Sequence, residues 1–156
     1  MARRYWLMKS EPGCFSLDDL EASPGRITCW DGVRNYQARN MLRDDLKAGD
    51  GVLFYHSNTK PVGVVGLCEV VRAGYPDPTA FDPRAGHFDP KSDPARPTWY
   101  VVDVRFVRAL PRCVTLDELK RAPGLEDMKV VQRGQRLSVQ PVTRQEWDIV
   151  LSLAEG

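Results

Sequence analysis

Strand-like and helix-like segments do not alternate along this chain, and this order excludes most architectures in which helices cover a parallel sheet. Strand character is concentrated in the middle, at 52–57, 62–71 and 100–106. In the last of these, Tyr100, Val102 and Val104 alternate with more polar neighbours, which is typical of a half-buried strand. A doubly wound sheet needs a helix between successive strands. The pattern therefore predicts a closed or nearly closed small sheet of four to six strands, with three or four short helices packed outside it.

Helix starts are predicted from capping pairs, in which a Ser or Thr hydroxyl and an acidic side chain three residues later satisfy each other's backbone N–H groups. The pairs are Ser16 with Asp19, Thr115 with Glu118, and Thr143 with Glu146. A further helix is predicted after Asn35, where Ala38, Met41, Leu42 and Leu46 have helical spacing. In the Val-rich segment 62–71, Gly63 and Gly66 indicate a bulge or a close backbone approach.

One long stretch breaks these periodicities. Residues 76–98 contain six of the twelve prolines, together with several aspartates, and show neither strand nor helix spacing. We expect an ordered surface excursion, because Phe81, Phe88 and Trp99 can anchor it to the rest of the protein. With 156 residues, the chain is expected to form a single domain over 1–156 that carries this excursion.

The charge balance limits the partners. Lys and Arg number 22 and Asp and Glu 21, so the net charge is +1. This balance argues against a protein that coats long duplexes through many phosphate contacts, but it allows a small basic patch. No apolar run reaches the roughly 20 residues that a membrane span requires. Lys9 and Glu11 interrupt any signal-peptide core. We expect a cytoplasmic, monomeric protein that has no membrane partner.

Neither a metal nor a cofactor is expected from the residue types. The four cysteines, at positions 14, 29, 68 and 113, form no Cys-x-x-Cys pair, and only His56 and His87 could supply imidazole. Enzyme signatures are also missing, since there is no phosphate-binding loop and no nucleophile elbow. His56 and Ser57 are adjacent on a predicted strand and therefore point to opposite faces. The sequence favours a protein that is not an enzyme and has no catalytic residues.

Polar residues are interleaved with aromatics at several strand ends and turns. Lys9 and Ser10 follow Tyr5 and Trp6, and a similar mixture surrounds Trp30. A flat nucleobase needs an aromatic face to stack on and a few directed donors and acceptors for its edge. The pattern permits a base-binding pocket, although each aromatic residue could equally belong to the core.

Four motifs in order give a more specific indication: YWLMKSEP at 5–12, WDGVRNYQARN at 30–40, FYHSN at 54–58 and RLSVQPV at 136–142. Together they closely resemble the EVE domain family, and the resemblance extends over nearly the whole chain. It implies an α+β, mainly β fold: a PUA-like mixed-sheet pseudobarrel of five or six strands with flanking short helices, related to the YTH and ASCH families. It also implies a nucleic-acid-binding reader of a modified base, chiefly a modified cytosine, in DNA or RNA.

The resemblance suggests the residues of the site. The predicted base-binding residues are Lys9, Ser10, Trp30, Val33, Asn35, Tyr36, Phe54, His56, Ser57 and Ser138, and the predicted phosphate-binding residues are Lys9, Arg34 and Arg136. Trp30 is expected to be a partly exposed stacking wall, with Ser10, Asn35 and Ser57 reading the base edge. For Arg34, a salt bridge to Asp31 or Asp44 is an equal alternative.

Two other functions remain open from the sequence. The first is a small nucleic-acid or nucleoside hydrolase of ASCH-like type, with Lys9 as its catalytic group and His56 in support. The second is a protein that binds a heteroaromatic metabolite in the same pocket.

Overall fold

Six strands form one mixed sheet in the computed structural model, which describes residues 3–31, 33–133 and 137–155. The strands are β1 (Tyr5–Ser10), β2 (Ile27–Cys29), β3 (Gly51–His56), β4 (Gly63–Pro76), β5 (Tyr100–Thr115) and β6 (Val139–Val142). Their order across the sheet is β2-β5-β4-β3-β1-β6. The β1–β3 pair is parallel and the other pairs are antiparallel. The α+β, mainly β fold with a mixed sheet is thereby confirmed.

The helices are short, and three of them begin where the capping pairs predict, while α2 begins after Asn35. They are α1 (Leu17–Ala22), α2 (Tyr36–Asn40), α3 (Leu116–Arg121) and α4 (Arg144–Glu155). Both hydrogen bonds of the capping box are present at Ser16 and at Thr115, and Thr143 makes the same pair of bonds with Glu146. The α2 helix continues into a wider π-type turn over Met41–Asp45. Met41 and Leu42, two of the predicted apolar positions, are buried in this turn.

The two long strands β4 and β5 pair irregularly. The register between them shifts at several points, including the step between Val64 and Gly66. A side chain at Gly63 would collide with the Val114 carbonyl oxygen. The close backbone approach predicted from these glycines is therefore confirmed. Irregular pairing of this kind bends a strand and increases its twist.

Apolar side chains pack on both faces of the sheet because successive strand residues point to opposite sides. Met8 and Phe54 belong to a cluster with Trp30 and the residues of α1 and α2, which we call the first cluster. Leu7 and Leu53 belong to a second cluster, beneath α3 and α4. The helices thus cover different faces.

The excursion is ordered, as predicted, and it is anchored mainly by Trp99. This side chain is buried, and its indole N–H donates to the Asp89 carboxylate at 2.7 Å. A 3₁₀ turn over Pro78–Phe81 follows the end of β4 and is capped by Asp77. Phe88 is 39% exposed and contributes little as an anchor, which differs from the expectation.

Within the described ranges, no helix is long and apolar enough to cross a membrane. In the same part of the chain, no three acidic, Cys or His side chains lie together in a way that could hold a metal ion.

A cleft at the ends of strands β1 and β2

A cleft of about 640 Å³ opens where β1 and β2 end. Its walls come from the end of β1, the turn that follows it, the end of β2 with the two residues after it, and one residue of the excursion. The lining residues are Lys9, Ser10, Glu11, Cys14, Phe15, Thr28, Cys29, Trp30, Asp31 and His87. A cleft of this size falls within the range of small-molecule and nucleotide sites.

Lys9 and Ser10, at the last two positions of β1, both line the cleft. The Lys9 ammonium lies 5.8 Å from the centre of the Tyr55 ring, and partial burial lowers the pKa of Lys9. The Ser10 hydroxyl donates its proton to the carbonyl oxygen of Phe15. Toward a ligand, the Ser10 hydroxyl is therefore an acceptor, whereas the Lys9 ammonium lies over Tyr55, which packs in the second cluster on the other face of the sheet.

Trp30 lines the cleft but is not the partly exposed wall that the sequence suggests. Only 8% of the residue is exposed, and its ring makes an edge-to-face contact with Phe54 at 5.5 Å. The expectation of a projecting ring is wrong, because the backbone N–H of Trp30 donates to Val102 at 2.8 Å and draws the residue onto the sheet. Trp30 therefore contributes to the cleft as a largely buried lining residue.

Asp31 and Cys29 give the cleft an acidic, hydrogen-bonding side. Partial burial and repulsion from Asp77 raise the pKa of Asp31, while His87 and Arg34 act in the opposite direction. Burial raises the pKa of the Cys29 thiol to about 11, so this group stays protonated at neutral pH. The Tyr75 hydroxyl, which donates to Asp103 at 2.6 Å, acts on the pKa of Cys29 in the opposite direction.

Four of the predicted base-binding residues support the cleft from behind or lie outside it. Phe54 is fully buried and Val33 is 8% exposed, so both pack in the core, and their contact with a base stays a prediction. The Asn35 side chain caps α2 by accepting from the Ala38 N–H at 2.9 Å. His56 accepts from the Leu17 N–H through Nε2 at 3.1 Å, and burial lowers its pKa.

Ser57 and Ser138 lie beside the cleft-lining end of β1. The Ser57 N–H donates to the Ser10 carbonyl at 2.9 Å, and the Lys9 N–H donates to the Ser138 carbonyl at 2.8 Å. Both serines are half-buried. Their backbones hold the strand end that carries Lys9 and Ser10. Arg136, the third predicted phosphate contact, lies outside the described residues.

Tyr36 forms an aromatic surface next to the cleft. It is 62% exposed, and it stacks on buried Trp99 with ring centres 5.1 Å apart. The Arg39 guanidinium lies 5.1 Å from the Tyr36 ring, and Arg34 lies 5.2 Å from the Trp99 ring. Arg34 also donates to the carbonyl of His87, which lines the cleft, so Arg34 connects the Tyr36–Trp99 pair to a cleft-lining residue.

The salt-bridge partner of Arg34 is Asp77, and the sequence alternatives of Asp31 and Asp44 are wrong. The Arg34 guanidinium and the Asp77 carboxylate are 3.0 Å apart, and the Asp77 side chain is fully buried. Asp77 also accepts from the Thr79 N–H and hydroxyl at 2.8 and 2.6 Å. This pair fastens the start of the excursion to the segment after Trp30.

Several lining residues were not predicted. Asp31 stands inside the motif at 30–40, and its position beside Trp30 was the available signal. Thr28 and Cys29 precede that motif, Cys14 and Phe15 belong to the turn after β1, and His87 comes from the excursion. Nothing local marks His87 as a site residue, because only the fold of residues 76–98 brings it to the cleft.

With the geometry established, comparison with known proteins gives the class. Residues 4–153 match the family model of the EVE domain. The chain belongs to the EVE domain family.

Individual relatives agree with this assignment. Thymocyte nuclear protein 1 of Rattus norvegicus is 49% identical in an alignment that covers 97% of this chain and 74% of that protein. The crystal structure of human THYN1 protein in complex with 5-methylcytosine containing DNA is similar with a TM-score of 0.90 and 48% identity, over 98% of each chain. The structure of protein PSPTO5229 from Pseudomonas syringae has a TM-score of 0.90 and 45% identity, over 96% of this chain and 99% of that one.

Proposed function

We propose that this protein is a nucleic-acid-binding module that reads a modified cytosine, with 5-methylcytosine in DNA as the first candidate. The observation that carries the proposal is the cleft itself, whose lining residues include Trp30, which carries a donor, and Ser10 and Asp31, which carry acceptors. The likeness to a human protein crystallised with 5-methylcytosine containing DNA supports this choice of base.

A base inside a duplex cannot enter such a cleft unless it leaves the stack. Flipping costs a few kcal/mol and is least costly for a base that is already unpaired. Lys9 at the cleft is the first candidate for neutralising a flanking phosphate. Arg34 remains a predicted phosphate contact, although its guanidinium already serves Asp77. We infer that residues 1–156 act as one domain that binds one modified base per monomer.

The first prediction concerns the methyl group. A protein that buries the 5-methyl group should bind a 5-methylcytosine oligonucleotide about fourfold more tightly than its cytosine counterpart, since a buried methyl group contributes about 0.8 kcal/mol. Fluorescence anisotropy with matched single-stranded and duplex DNA, and with the same sequences as RNA, measures this ratio. Equal affinity for methylated and unmethylated DNA and RNA would contradict the proposal.

The same titrations separate the two alternatives. A metabolite-binding protein would bind the free modified nucleoside as tightly as the oligonucleotide. A hydrolase would consume the oligonucleotide on incubation, and Lys9→Ala would abolish this turnover, because the lowered pKa of Lys9 is the feature that favours catalysis. We propose binding without turnover, so the oligonucleotide should be recovered intact.

Tyr36 is proposed to stack the nucleotide next to the base in the cleft. Because base stacking on an aromatic residue contributes about 1–3 kcal/mol, Tyr36→Ala should weaken oligonucleotide binding roughly 5- to 150-fold. Tyr36→Phe should retain most of the affinity. The side chain is 62% exposed, so the unfolding midpoint should change little.

The matched control for Tyr36→Ala is Val107→Ala, which also removes an exposed apolar side chain but on β5. It should leave the affinity unchanged. If Tyr36→Ala binds as tightly as wild type, Tyr36 is only an exposed cover for Trp99 and the stacking role is wrong.

A further inference from the structure

Asp31 places a carboxylate in the cleft that is not neutralised by a salt bridge within residues 3–31, 33–133 and 137–155. The guanidinium of Arg34 acts on Asp31 through its charge, but it pairs with Asp77 at 3.0 Å. Lys9 lines the same cleft and is not among the charges that act on Asp31, which are Asp77, His87 and Arg34. Among the described residues, no salt bridge joins Lys9 and Asp31.

The position of Asp31 is fixed by its neighbours. Its backbone N–H donates to the Cys29 carbonyl at 3.0 Å, directly after β2 ends. The preceding residue, Trp30, is held to β5 through the Val102 carbonyl. An acceptor attached to a stretch of backbone that is tied in this way presents a defined direction to a ligand, which is what discrimination between similar bases requires.

We propose that Asp31 determines specificity for cytosine by accepting a hydrogen bond from the exocyclic 4-amino group of the bound base. The inference rests on the proposed function and adds to it the group that selects the base. Carboxylates accept from the cytosine amino group in protein–DNA recognition generally. The remaining acceptors of cytosine, N3 and O2, are then available to donors of the cleft, of which the Trp30 indole N–H is the first candidate.

Thymine is the competitor that isolates this contact. It carries the same 5-methyl group as 5-methylcytosine, but it has an oxygen in place of the 4-amino group and a proton on N3. An Asp31 carboxylate facing O4 would place two acceptors together without a proton, and a buried polar group that lacks its partner is costly. Rejection of thymine is therefore a property of Asp31 and is independent of the methyl group.

The experiment measures binding of wild type and Asp31→Asn to three single-stranded DNA oligonucleotides that differ at one position, which is 5-methylcytosine, cytosine or thymine. Wild type should prefer 5-methylcytosine over thymine by roughly 5- to 150-fold. In Asp31→Asn the preference should fall to within about threefold, because the carboxamide can donate to O4 or accept from the amino group. Asp31→Ala should lose the preference as well.

Glu11→Gln is the matched control, since it removes one negative charge from the same cleft. Weaker repulsion of phosphate should raise the affinity of Glu11→Gln for all three oligonucleotides alike and keep the preference over thymine. If Asp31→Asn behaves in the same way, Asp31 acts only through its charge and the inference is wrong. Equal binding of wild type to the thymine oligonucleotide also overturns it.

If the protein does not read the methyl group, so that the proposed function is wrong, the outcome is different. Wild type would then bind 5-methylcytosine and cytosine equally, but it would still reject thymine, and Asp31→Asn would still lose this rejection. Thermal unfolding of each variant verifies that the affinities come from folded protein.

Discussion

Replacing Trp30 by alanine is expected to lower the free energy of unfolding by about 3–5 kcal/mol, the usual cost of truncating a buried Trp. The residue is 8% exposed and packs in the first cluster against Phe54. For a chain of this size, such a loss lowers the unfolding midpoint by roughly 6–20 °C. Thermal unfolding followed by circular dichroism measures it.

Trp30→Phe separates the packing role of Trp30 from its role in the cleft. Phenylalanine keeps most of the apolar volume but has no N–H, so stability should fall much less while binding of the modified oligonucleotide weakens. If Trp30→Ala instead keeps the wild-type unfolding midpoint and loses binding, Trp30 acts as the exposed stacking residue that the sequence suggests, and its packing role is wrong.

Arg34→Ala is the second substitution with a large expected effect. It leaves the fully buried Asp77 carboxylate without its cationic partner, and removal of one member of a buried ion pair costs about 3–5 kcal/mol. The hydrogen bonds from Thr79 retain part of the stabilisation, so the lower end of this range is expected. Urea unfolding of Arg34→Ala, Asp77→Ala and the double variant gives the coupling between the two side chains.

The control for Arg34 lies in the same excursion. Arg84 is 3.6 Å from Asp82, but its side chain is 94% exposed, and exposed pairs contribute little because water and salt screen them. Arg84→Ala should leave the unfolding transition in place. A coupling near zero between Arg34 and Asp77 would show that the excursion is held by Trp99 and its neighbours instead.

Local features of this fold were predictable, because the groups that determine them are close in sequence. The capping pairs at Ser16 and Thr115 each connect residues three positions apart, and the structure has both. The alternation at 100–106 predicted a strand, but β5 continues to Thr115. Its second half has several exposed side chains and pairs with β4 through shifted registers, so no regular alternation marks it.

The site was less predictable than the fold. Lys9, Ser10 and Trp30, three of the residues predicted to bind a base, line the cleft. In contrast, Asp77, the salt-bridge partner of Arg34, is 43 positions away in sequence. Asp31 lines the cleft, whereas Tyr36, in the same motif, stacks on Trp99 outside it. Two residues of one motif can lie on different surfaces, because the turn between them and the tertiary packing decide where each side chain points. Neither the turn nor the packing is marked by a recognisable residue pattern.

The two-sided sheet also matters for handling the protein. Trp30 in the cleft packs in the first cluster, whereas Trp147 of α4 packs in the second cluster, on the other face. Attachment of the protein to a sensor surface through the end of α4 should therefore point the cleft toward the solution. Oligonucleotides could then be screened without a blocked binding face.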